Sequence, residues 1–215
     1  MTLNFKMERP KIPKDLKEGN FQDVFNDEDP YMCNCLISNT EADYAEIDKL
    51  TLSKAVINHV RLVNASFKRI DLTDAVFENC DLSNVDLSEG NLNRVVFKDC
   101  KLMGLNVSEA NLGNVTFENC LLNLADFVDA RLKHIQFERS SLQNVNFYDA
   151  RFNKIIFEQC DLNRADFTGT ALKGIDISSC HYDQLSVEPG NLEGCVVSSE
   201  QAIGFAALLG LRIKE

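Results

Sequence analysis

An apolar residue stands at every fifth position from Ile47 to Val197, through Leu52, Ile57, Leu62, Phe67, Leu72 and Phe77 and on to Val187 and Leu192, with no break in register. A period of five fits neither the α-helix nor the β-strand, and either element would smear these residues over every face. A chain that turns a corner once per repeat points all of them inward, and four such corners close a square coil. A second period agrees. Cys80, Cys100, Cys120, Cys160 and Cys180 recur every 20 residues, with Ser140 in the gap, and so do Phe77, Phe97, Phe117, Phe137 and Phe157.

Two residues before each inward position stands a mostly small or β-branched residue, such as Ala65, Ala75, Cys80, Val95, Ala110 and Cys120, which suits a tight corner. No Pro occurs between Pro30 and Pro189, consistent with an unbroken hydrogen-bonded stack. Coils stacked about 4.8 Å apart predict a rod of about eight coils, roughly 37 Å long.

Residues 1–34 carry Pro10, Pro13 and Pro30, lack the five-residue period, and are expected to form a cap and lead-in to a coiled body over 35–197. Residues 198–215 follow as a separate module. Ser198 and Gln201 have the spacing of a capping box, which predicts a helix over 199–209 with Gly210 as its C-cap. The tail Leu211-Arg212-Ile213 alternates like a short strand. The helix has more apolar surface than the single stripe needed to cover a solenoid end. It therefore predicts a two-fold dimer through Ile203, Phe205, Ala206, Leu208 and Leu209. A monomer with these residues all turned onto the last coil is the alternative.

With the register fixed, every charge falls on one of four sides. The side centred on Leu87, Val107, Phe127, Phe147 and Phe167 carries Asp86, Glu89, Glu109, Asp126, Asp129, Asp149 and Asp166, and over these coils it has no Lys or Arg. Glu89, Glu109, Asp129 and Asp149 share one slot in four successive coils, so they form a column of carboxylates about 5 Å apart. A second acidic column, Glu78, Glu118, Glu138 and Glu158, is interrupted by Lys98. The side around Leu92, Leu112, Leu132 and Phe152 is basic, with Arg94, Arg131, Lys133, His134, Arg151 and Lys154. Like charges stacked in register oppose folding by a few tenths of a kcal/mol each. A face with one sign only therefore points to a partner of the opposite sign.

The formal net charge of −11 argues against direct nucleic-acid binding, which needs a basic footprint. No apolar run reaches the roughly 18 residues of a membrane span. The start is charged and prolyl without an apolar h-region, so no signal peptide is expected and the cytoplasm is the default compartment. The eight cysteines include no CxxC pair and fit small buried hydrophobes better than disulfides or a metal site. His59, His134 and His181 are scattered, no nucleophile or phosphate-loop motif occurs, and carboxylates on a convex rod line no pocket. Neither an enzyme nor a cofactor is expected.

The pentads NVDLS, EANLG, LADFV and RADFT resemble those of the pentapeptide-repeat family, whose consensus is close to Ala-Asp/Asn-Leu-x-x. The resemblance implies an all-β fold, a right-handed quadrilateral parallel β-helix, here followed by a C-terminal α-helix. The C-terminal helix and tail further resemble those of the Qnr and MfpA-like quinolone-resistance group, which dimerise through this module. That resemblance implies a DNA-mimicking protein that binds DNA gyrase, with topoisomerase IV as a second target, and that inhibits the enzyme or protects it from quinolones. One departure is clear. Loops interrupt the coils of many mobile Qnr proteins, whereas nothing interrupts them here between 47 and 197, so the chain looks more like the loop-free, Gram-positive members. A scaffold for some other basic protein, and a resistance protein for another compound, remain open as alternatives.

Overall fold

The structure is a computed structural model and describes residues 6–25, 27–206, 208 and 210–212. Three short strands open the stack: β1 (Lys17–Glu18), β2 (Tyr31–Cys33) and β3 (Cys35–Ser38). Six eight-residue strands follow, one per coil: β4 (Thr51–Asn58), β5 (Asp71–Glu78), β6 (Asn91–Lys98), β7 (Asn111–Glu118), β8 (Arg131–Glu138) and β9 (Arg151–Glu158). All pair in parallel with their neighbours at a 20-residue register, Leu72 beside Leu92 and Phe77 beside Phe97. Each of the six covers two sides of the square. The other two sides are joined coil to coil by single parallel bridges, such as Arg61 to Asp81 and Ser66 to Asp86. β10 (Ala165–Asp166) and β11 (Leu185–Ser186) continue the stack beyond β9. The expected four-sided parallel β-solenoid is the fold.

The corners explain the sequence pattern. A left-handed residue recurs at every fifth position from Asn34 to Gly174, two places after each inward side chain. Asn and Asp tolerate this conformation best after Gly, which accounts for much of the polar composition of that slot. The inward residues and the small residues two places before them are both buried, so the expected corner packing is present. The cysteine column adds further donors at the corner carbonyls. Cys120 Sγ lies 3.4 Å from the Phe97 carbonyl and 3.3 Å from that of Glu118. Ser140 makes the equivalent bonds at 3.3 and 3.0 Å, which is why a hydroxyl fits the gap in the cysteine series.

Inside, Phe77, Phe97, Phe117, Phe137 and Phe157 stack with ring centroids 4.9 to 5.1 Å apart. A second ladder, Phe127, Phe147 and Phe167, meets the first edge-on at about 6 Å. Edge-to-face and offset contacts of this kind add to the burial of each ring.

Both ends of the described chain are plugged. A 3-10 turn, Phe21–Val24, is held by reciprocal bonds between Asn20 and Asp23 and buries Phe21 and Val24 in the open coil, Phe21 resting 5.6 Å from Phe67. At the other end, α1 (Ser199–Ala206) begins with the expected capping box. The Ser198 amide donates to Gln201 Oε1 at 2.9 Å, and the Gln201 amide to Ser198 Oγ at 3.2 Å. Gln201 Nε2 then donates to the Ile177 and Cys180 carbonyls, both at 2.9 Å, which seats the helix on the last coil. Gly210 has φ of 72° and the Leu211 amide reaches back to the Ala206 carbonyl at 3.2 Å, closing the helix end. That bond also corrects the expectation of a strand in the tail. Leu211 and Arg212 form none, because the amide at 211 serves the cap. Ala207 and Leu209 of the predicted helix, and Ile213 of the predicted strand, lie outside the described residues.

Candidate partner-binding surface

The coil geometry sorts the acidic residues into three kinds. The first kind stands one place before an inward residue. Asp86 Oδ1 accepts the Ser88 amide at 2.9 Å, Asp126 Oδ1 the Val128 amide at 3.0 Å, and Asp166 Oδ1 the Thr168 amide at 2.9 Å and its hydroxyl at 2.6 Å. Asn106 and Asn146 make the same bond one coil on from an Asp, to Ser108 and Tyr148. These half-buried carboxylates hold turns together. Asp86 also receives Asn106 Nδ2 at 3.1 Å and faces Lys68 Nζ at 3.4 Å from the preceding coil.

The second kind is the column Glu78, Glu118, Glu138 and Glu158. In the β-ladder these residues do align, with Lys98 between Glu78 and Glu118. Lys98 approaches Glu78 at 3.8 Å. Arg139, one place after Glu138, contacts Glu138 and also reaches Glu118 at 3.1 Å. Two cations therefore neutralise much of this column.

The third kind is the column Glu89, Glu109, Asp129 and Asp149. All four sit in the left-handed corner slot, with φ between 52° and 59°, and all four are exposed. Among the described residues none of them enters an ion pair. Arg69 occupies the same slot one coil below Glu89 but is bonded to Asp48. Gly169 ends the column, and the Asp149 carboxylate leans over it so closely that a Cβ there would lie 2.0 Å from Oδ1.

The basic side differs from its sequence reading. An N-terminal strap crosses it: the Lys11 amide donates to Asp74 Oδ1 at 3.0 Å and the Glu8 amide to Asn114 Oδ1 at 3.2 Å. Arg94, between these two coils, is tied to Asp74 and lies 3.8 Å from Glu8. Burial, followed by the charges of Lys154 and Lys133, holds His134 below its ordinary pKa, with Glu8 opposing them.

At the C-terminal end, Ile203 and Leu208 are exposed, while Phe205 and Ala206 are half-buried. Phe205 packs on Tyr182, with centroids 5.8 Å apart. An open apolar cleft here is lined by Pro189, Leu192, Val197, Ala202, Phe205 and Leu208. Among the described residues no cluster of His, Cys, Asp and Glu could hold a metal ion, and no helix is long and apolar enough to cross a membrane.

The chain is similar in structure to trypsin-treated QnrB1, a plasmid-mediated fluoroquinolone resistance protein, at 17% identity and a TM-score of 0.45 over 86% of this chain and 98% of that one. It is also similar to HetL, a pentapeptide repeat protein involved in heterocyst differentiation regulation from the cyanobacterium Nostoc sp. strain PCC 7120, at 19% identity and a TM-score of 0.47 over 83% of this chain and 93% of that one. A pentapeptide repeat protein of the Arabidopsis thaliana thylakoid lumen aligns at 19% identity and a TM-score of 0.31 over 60% of this chain and 75% of its own. Comparison with curated protein sequences returns no match. The family description for a pentapeptide repeat region fits residues 70–147, and that for pentapeptide repeats in eight copies fits 51–88 and 140–178. With the pentads, the square coil and the two family descriptions over residues 51–178 in agreement, the chain belongs to the pentapeptide-repeat family.

Proposed function

We propose that the protein is a binding protein, not an enzyme, that presents the carboxylate column Glu89, Glu109, Asp129 and Asp149 to a basic groove on a DNA-handling protein. One observation carries this. In the other stacked acids most members are paired with a cation or spent on a turn, Glu158 being left over, whereas these four stay exposed and outside any ion pair through four successive coils of one slot. Four like charges about 5 Å apart resemble the line of phosphates on a nucleic-acid strand, and a channel built for DNA is the complementary shape. DNA gyrase is the first candidate and topoisomerase IV the second, on the resemblance of the repeats and C-terminal module to the quinolone-resistance group. The exposed Ile203 and Leu208 support a dimer through the C-terminal helix, which would double the length of the acidic line.

Gyrase supercoiling, assayed with and without ciprofloxacin, tests the proposal. The wild-type chain is expected to inhibit supercoiling at near-stoichiometric levels or to restore it in the presence of the drug. Replacing Glu89, Glu109, Asp129 and Asp149 together by Lys should abolish the effect without unfolding the rod, since Lys54 and Lys154 already occupy the equivalent slot on another side. A quadruple variant with undiminished effect would sink the acidic-column mechanism. A wild-type chain with no effect on gyrase would favour another basic partner.

A further inference from the structure

Of the left-handed corner residues, nearly all are polar, charged or Gly; the two large apolar exceptions among the described residues are Tyr44 and Leu124. Leu124 has φ of 64° and is 61% exposed. Its side chain is not part of the core, and an aliphatic residue in this conformation works against folding, where Asn would be accepted readily. Asn64, Asn84 and Asn144 show this in the same column of the same side. Leu124 has company. Leu121 in the same coil and Met103 in the preceding one, both on the same side, are 44% and 42% exposed. The Leu102 amide bonds the Leu121 carbonyl and the Gly104 amide the Asn123 carbonyl, so the two coils carrying this patch are in direct contact. Next along the chain, past the corner at Leu124, come Asp126 and Asp129, and Glu109 lies one coil below Asp129. The patch therefore lies one side of the square from the carboxylate column, level with its middle.

We propose that Leu124, flanked by Met103 and Leu121, is the apolar anchor by which the basic partner of that column is held. The inference rests on the partner reading above and specifies its chemistry: a protein surface whose row of Lys or Arg side chains lies beside an apolar socket. Charge complementarity fixes the partner's sign, because a docked surface that covers Leu124 and extends across the next side meets Asp126, Glu109 and Asp129. A nucleic acid is excluded by the same charges. The division of labour is familiar from protein interfaces, where exposed charges guide encounter and a desolvated apolar centre retains the partner.

Two peptide probes of equal charge separate the anchor from the column: an oligolysine, and a lysine peptide of the same charge with interspersed leucines. Binding is measured by fluorescence anisotropy at about 0.15 M salt, where surface electrostatics is partly screened. The wild-type chain is expected to bind the leucine-containing peptide about tenfold more tightly, the order expected of burying one leucine side chain. Leu124→Asn should remove that preference, leave oligolysine binding unchanged, and melt at or above the wild-type temperature, which excludes misfolding as the cause. A preference that survives Leu124→Asn, equal wild-type affinity for both peptides, or a Leu124→Asn variant weakened toward both alike overturns the anchor while leaving the column intact. Failure of the wild-type chain to bind either peptide overturns the column and the anchor with it.

Discussion

Arg94 stands one coil above Asp74 and grips it with two bonds, Nε to Oδ1 at 2.6 Å and Nη2 to Oδ2 at 2.9 Å, beneath a strap whose Lys11 amide shares the same Oδ1. The Asp74 side chain is 6% exposed and that of Arg94 18%, which makes this the most buried ion pair among the described residues. The Arg94 guanidinium holds the Asp74 carboxyl below the usual carboxylate range against the opposing effect of burial. A carboxyl lowered in the folded state stabilises fully above its unfolded pKa of about 3.9, and that contribution is lost as pH falls through the folded value.

Asp74→Ala should therefore destabilise the fold by about 3 kcal/mol at neutral pH, because it leaves Arg94 buried without its partner. The penalty should shrink in acid, below about pH 4. Chemical denaturation at pH 7 and pH 3 measures both. The same change removes an acceptor of the strap, so trypsin should cut after Lys11 faster than in wild type.

The two kinds of aspartate on the acidic side should respond oppositely to removal of charge. Asp126→Ala leaves the Val128 amide without its acceptor and should cost about 1 kcal/mol. Asp129→Asn keeps a residue suited to the corner and relieves like-charge repulsion, so it should be neutral or slightly stabilising. Thermal melts of the pair check the sorting. A destabilised Asp129→Asn would show that its carboxylate supports the fold.

Cys33 should be the fast-reacting thiol. Hydrogen bonds from Ser53 and then Tyr31 lower its pKa, and it is only half-buried. The thiols of Cys80 and Cys100 are raised, that of Cys100 to about 12, chiefly by the neighbouring thiol in the column and then by burial. Burial pushes Cys195 up to about 11. Brief treatment of the native protein with N-ethylmaleimide should add one adduct, at Cys33, by intact mass, with the others labelled only after denaturation. Equally rapid labelling of Cys100 or Cys120 would contradict the closed core.

Ile203→Glu, or Leu208→Glu, places a charge on the exposed side of the C-terminal module and should halve the mass seen by light scattering without lowering the melting temperature of the coils. A wild-type chain that runs at the monomer mass would remove the dimer from the proposal.

The rod was legible in the sequence because one rule, an inward side chain every fifth residue, is imposed afresh at each coil, so no single position has to carry it. Phe117 alone says little; Phe77 through Phe157 at one spacing says a great deal. The strap was not legible. Residues 6–11 have no period, and their hold on the rod runs through the backbone amides of Glu8 and Lys11, which any residue but Pro supplies. Asp74, which accepts the Lys11 amide, and Asn114, which accepts that of Glu8, read as ordinary surface residues. Arg139 was missed because it lies at a corner, one place past the glutamate column it bridges. The turn-holding role of Asp86 and Asp166 did leave a signal. From Asp81 to Ser83, Asp86 to Ser88 and Asp166 to Thr168, an Asp precedes a small hydroxyl residue by two places, the pattern of an Asx turn.

The strap also sets an order of assembly. A solenoid whose coils touch only their neighbours can wind up from its first turn as the chain leaves the ribosome. The Glu8 amide, however, donates to Asn114, so a segment made before the coils has no complete seat until more than a hundred later residues have been wound into place. Once fastened, it spans three turns and resists peeling from that end. Under a mechanical pull on its two termini, the rod is expected to unravel from the carboxyl end first.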